Sequence, residues 1–106
     1  MTEVDRYKAQ LEHTPKDDQT RLALARAYRD REQVELALQQ YSVLARARAG
    51  DILSAIVSDM ESIVASRPDN LEAHELLADL YGKKGELQKA LERYRWILKQ
   101  YEHTSR

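Results

Sequence analysis

The sequence predicts an all-α protein, a helical-repeat array of about six antiparallel helices. Three observations carry that expectation. Only three Gly and two Pro occur in 106 residues, too little turn material for a β-rich fold, while Ala, Leu, Glu, Gln, Arg and Lys, the strong helix formers, dominate. Apolar residues recur at helical spacing in six separate segments. The chain also resembles itself at an offset of 53 residues, the mark of a repeat architecture. The length suits a single domain, residues 1–106, with one modest core.

Taken in order, the first helix is expected over Glu3–His13, with Thr2 as its N-cap and Val4, Tyr7 and Leu11 on one face. Thr14-Pro15 ends it, because the residue before proline avoids the helical region. A second helix follows over about 17–30, with acidic residues in its first turn, where the dipole favours them. Its apolar residues are Leu22, Leu24, Ala25, Ala27 and Tyr28. The third covers about 33–49, with Val34, Ala37, Leu38, Tyr41, Leu44 and Ala45, and Gly50 and Asp51 stand where a C-cap and the next N-cap belong. The fourth, about 52–66, is the most apolar, and its broad stripe includes Ile52, Ile56, Met60 and Ile63. Burial at the centre of the molecule, between the two copies, is the expectation for that stripe. Exposure would make it a self-association surface. After Arg67-Pro68-Asp69-Asn70, a fifth helix is expected over Leu71–Lys83, with Gly82 and Gly85 bracketing the next turn. The sixth spans about 86–101 with Leu87, Ala90, Leu91, Tyr94, Ile97 and Leu98 inward, and the tail from Glu102 is expected to fray.

The self-similarity is specific. At an offset of 53, Pro15 falls on Pro68, Leu24-Ala25 on Leu77-Ala78, Tyr28 on Tyr81, Ala37-Leu38 on Ala90-Leu91, and Tyr41 on Tyr94. These are small, apolar or aromatic positions in one unbroken register. The chain therefore reads as two three-helix copies, residues 1–53 and 54–106.

Within each copy the last two helices resemble a tetratricopeptide repeat (TPR). The second copy reads His74-x2-Leu77-Ala78-x2-Tyr81 and then Ala90-x3-Tyr94; the first reads Arg21-x2-Leu24-Ala25-x2-Tyr28 and then Ala37-x3-Tyr41. The resemblance covers residues 16–48 and 69–101. It implies TPR-like hairpins that bind protein or peptide, with the first helix of each pair lining a concave face. Carried onto this chain, that face takes Gln19, Leu22, Arg26, Arg29 and Asp30 from the second helix and Glu72, Glu75, Asp79, Gly82 and Lys83 from the fifth. One half of the groove would be basic and the other acidic, suited to a charged peptide; solvated helix faces are the alternative. The family's carboxylate-gripping groove is not implied, because Leu22 and Arg26 stand where Lys and Asn would be expected. Trp96, the only tryptophan, is a candidate anchor for a partner or else edge packing.

Signals for chemistry are weak. His74-Glu75 opens like a zinc-protease helix but lacks the second histidine four residues after the first, and His13, His74 and His103 show no ligand spacing. The sequence holds no cysteine, no glycine-rich phosphate loop and no nucleophile elbow. The expectation is therefore no enzyme, no cofactor and no metal. Seventeen basic against eighteen acidic residues give a formal charge of −1, which argues against partners recognised by bulk charge, nucleic acid and membrane surfaces. Arg21, Arg26, Arg29, Arg31, Arg46 and Arg48 keep nucleic-acid binding as a minor alternative, although Asp30, Glu32 and Glu35 are interspersed among them. No apolar run reaches the ~20 residues of a membrane span, and a cytoplasmic setting is the default. The expected function is a protein-interaction or assembly module with a protein or peptide partner. Homodimerisation, through the fourth helix or the C-terminal face, is the alternative.

Overall fold

Thr2 opens the first helix in the way the sequence predicts. Its hydroxyl accepts from the Asp5 backbone N–H at 3.2 Å while the Asp5 carboxylate accepts from the Thr2 N–H. This reciprocal capping box supplies backbone donors that the helix cannot satisfy itself. It starts α1 (Glu3–His13). Asp17 caps α2 (Asp18–Asp30) by accepting from the Thr20 N–H, and Asn70 caps α5 (Leu71–Lys83) through the Ala73 N–H. The remaining helices are α3 (Val34–Ala45), α4 (Gly50–Ser66) and α6 (Leu87–Thr104). The structure, a computed structural model, describes residues 1–46 and 50–104, and among these the regular elements are these six helices, with no strand.

The chain divides into two compact units, Met1–Ile52 and Leu53–Arg106. In the first, α1 packs on α2, and a short turn returns α3 along α2. Its core holds Leu24, Ala25, Ala37, Tyr41 and Leu44, each at most 2% exposed. Ala25 and Ala37, with no exposed surface, let the two helix backbones approach closely. In the second unit α5 packs on α6, with Ala73, Leu77, Ala78 and Leu80 buried. The Tyr81 hydroxyl donates to Glu61 Oε2 at 2.8 Å and ties α5 to α4.

The turns of the two hairpins coincide at the 53-residue offset. The Gln33 N–H donates to the Tyr28 carbonyl and the Glu86 N–H to the Tyr81 carbonyl, both at 2.9 Å. One residue earlier, Glu32 and Gly85 both take positive φ, 60° and 80°. That conformation is ordinary for glycine and strained for glutamate.

Four expectations are corrected. Asp51 is not a cap, because α4 already includes Gly50 and Asp51. α6 continues to Thr104, beyond the end expected at Tyr101. α3 ends at Ala45, and residues 47–49, Arg48 among them, lie outside the described residues, as do 105–106. The largest correction concerns α6. Ala90 and Ile97 are buried, but Leu87, Leu91, Tyr94 and Leu98 are 65%, 47%, 40% and 61% exposed. Helical spacing places residues on a common face without supplying a neighbour to cover it. The α4 stripe, by contrast, is buried at Ile52, Ile56, Met60 and Ile63, with Leu53 half-buried.

Candidate protein-interaction surface on the last helix

The charged groove residues implied by the resemblance lie at the surface, and several of them are engaged within the chain. Leu22 is only 5% exposed and belongs to the core. The α2 stripe is wide enough to bury it beside Ala25, so its placement on the outer face is corrected. Arg29 pairs with the adjacent Asp30 at 3.3 Å, and Arg26 and Lys83 are also engaged within the chain. Gln19 and Glu72 are exposed. Glu75 and Asp79 each accept a hydrogen bond from α6, from the hydroxyls of Tyr101 and Tyr94 respectively. The acidic row thus serves as an acceptor border for two tyrosines.

Those bonds shift the tyrosines. Asp79, through its hydrogen bond first and its charge after partial burial, pushes the Tyr94 hydroxyl up to about 12. Glu75 raises Tyr101 in the same direction. Burial, followed by the bond to Glu61, pushes Tyr81 up to about 12. At neutral pH Tyr81 and Tyr94 stay protonated and act as donors, not bases.

His74 is the polar residue set deepest in the α5–α6 hairpin, 3% exposed. Its Nε2 lies 2.8 Å from the Pro68 carbonyl oxygen and its Nδ1 3.0 Å from an Arg93 guanidinium nitrogen. The carbonyl can only accept and the guanidinium can only donate. The ring is therefore neutral, protonated on Nε2. Burial lowers its pKa from the ordinary 6.5, the Pro68 bond opposes that, and the Arg93 charge lowers it further. Trp96, half-buried, lays its ring on the imidazole, with centroids 4.0 Å apart and planes at 32°. The tryptophan is thus engaged with its own unit. Arg21 occupies the corresponding place in α2, donating to the Pro15 carbonyl at 3.0 Å and to Gln40 Oε1 at 2.7 Å. These contacts fix the base of each hairpin; sequence reasoning missed the Arg21–Gln40 and His74–Arg93 pairs because they join residues 19 apart.

What the second unit exposes is an apolar row. Leu87, Leu91, Tyr94, Leu98 and Tyr101 follow one another by four, three, four and three residues along α6, the spacing of a helix–helix seam. Five large side chains, each at least 40% exposed, form a continuous strip of a size that soluble proteins rarely leave uncovered. Val34, Leu38, Tyr41 and Ala45, which stand 53 positions before the first four of them, are at most 7% exposed. The signal was present in the sequence as the apolar periodicity of the sixth helix, read there as core.

Among the described residues no group of His, Asp and Glu is arranged to hold a metal ion, and no helix is long and apolar enough to cross a membrane. Compared with models of protein families, with curated proteins and with solved structures, the chain matches none.

Proposed function

We propose that this chain is a non-catalytic protein–protein interaction module of TPR-like architecture, two three-helix copies of 53 residues, and that it docks through the exposed face of α6. The observation that carries the reading is the uncovered row Leu87, Leu91, Tyr94, Leu98 and Tyr101. Burying such a strip is favourable by about 25 cal/mol per Å² of apolar surface. The matching turn bonds, the paired positive-φ residues and the equivalent N-caps at the 53-residue offset support the two-copy architecture. The arginines of α2 are held by Pro15, Gln40 and Asp30 or otherwise engaged within the chain, which disfavours a nucleic-acid reading.

Site-specific photo-crosslinking tests the proposal. A benzophenone amino acid placed at Leu91 should yield protein adducts of discrete mass in cells, and the same probe at exposed Gln19 should not. Equal, diffuse labelling at both positions, or none at Leu91, would overturn it.

A further inference from the structure

Resting on that reading, we infer that the partner of the α6 face is a second copy of this chain, the two α6 rows packing against each other about a two-fold axis. The row carries no unmet polar group. Its only polar atoms, the Tyr94 and Tyr101 hydroxyls, are already bonded to Asp79 and Glu75 of the same unit. A partner that brought donors or acceptors to the middle of this strip would bury them unpaired, whereas another α6 row brings only alkyl groups and ring faces. Residues spaced by four and three along one helix interdigitate with the same spacing on its mate.

Among the described residues, neither α1 nor α3 presents a matching apolar row. The outward positions of α1 include Glu3, Arg6 and Gln10. The exposed Leu36 and Val43 of α3 lie two turns apart with Gln39 and Gln40 between them. A row that packs against the same row of a second copy gives an isologous pair and closes at two copies. The borders suit that arrangement. Asp79 and Glu75 flank the row on the α5 side, while Arg95 and Lys99 stand beside Glu92 and Glu102 on the other. No single-sign field therefore opposes a like copy.

Area sets the strength. With about 200 Å² for a large side chain, these exposures leave roughly 500 Å² of row on one copy. Two copies then cover about 1,000 Å² before the rim is counted, the lower bound for a specific interface. The pair should be reversible and concentration-dependent, in contrast to an obligate dimer.

Sedimentation equilibrium on the purified chain, from about 5 to 500 micromolar, is the deciding experiment. The mass should climb from 12.3 kDa toward twice that value. Leu91→Glu and Leu98→Glu should each move the transition at least ~10-fold higher in concentration. Val43→Glu, on α3 at an exposure close to that of Leu91, should leave it in place, and circular dichroism melts on dilute samples check that all three variants fold. A mass fixed at 12.3 kDa, or a transition insensitive to Leu91→Glu, overturns the inference. Should crosslinking at Leu91 capture a different protein while the pure chain stays monomeric, the second-copy inference falls and the interaction module stands. Absence of both results sinks the two together.

Discussion

Glu32 and Gly85 hold the same place in two turns, and their difference in residue type sets up an opposed trio of substitutions. A non-glycine residue in the left-handed region costs roughly 1–2 kcal/mol, which Glu32 bears at φ 60°. Gly85 avoids it at φ 80°, with open space around the place of a Cβ. Gly82 is also unobstructed but sits inside α5, where alanine is preferred by about 1 kcal/mol. In urea unfolding, Glu32→Gly and Gly82→Ala should therefore each stabilise by about 0.5–1 kcal/mol, and Gly85→Ala should destabilise by about 1 kcal/mol. A stabilising Gly85→Ala would refute the turn geometry. The sequence placed Gly85 in this turn correctly, whereas Gly82 belongs to the last turn of α5. Glu32 carried no such mark, because nothing in a glutamate announces positive φ; only its register with Gly85 could have revealed it. Leu22 was misplaced for the opposite reason, a leucine assigned to an outer face by family analogy against its own hydrophobicity.

Helix ends were legible where side chains cap them. α1 and α5 run over the residues expected, Glu3–His13 and Leu71–Lys83, because Thr2 and Asn70 each supply an acceptor to the first turn and a proline follows or precedes. The inward face of α6 was not legible, because periodicity is indifferent to what lies opposite. Nor was the contact at the base of the α5–α6 hairpin, where Arg93 and the Pro68 carbonyl require His74 neutral. Its pKa lies below 6.5 in the folded chain and returns to about 6.5 on unfolding. Below that value the unfolded chain binds the extra proton more readily, so stability contributed by neutral His74 is intact above about pH 6.5 and is lost as pH falls toward the folded pKa. The melting temperature should drop as pH falls below about 6.5, and His74→Gln should flatten that slope. Trp96, the sole tryptophan and in contact with this ring, provides an independent signal, since its fluorescence should titrate with a midpoint below 6.5. A wild-type profile flat over this range, or a midpoint above 6.5, would contradict the assigned tautomer.

At the scale of the whole chain, the division into units Met1–Ile52 and Leu53–Arg106 makes a statement about how damage spreads. Tyr28 and Tyr81 are 7% and 4% exposed, one in each unit. Removing a buried aromatic ring costs about 3–5 kcal/mol, and Tyr81→Ala also leaves Glu61 without the hydroxyl it accepts from. In an array whose stability is a sum of local terms and neighbour terms, a core deletion lowers its own unit most. Hydrogen exchange should therefore find protection in Tyr28→Ala lost chiefly from amides of α2 and α3, and in Tyr81→Ala chiefly from α5 and α6, with the larger total loss in Tyr81→Ala. Uniform loss over both units in either variant would mean that the chain unfolds as one cooperative block. A loss below about 1 kcal/mol in both would mean that these rings are not the centres of the two cores. The comparison is best made on dilute samples, where mass action would dissociate the proposed α6 pair and the measured protection belongs to the single chain.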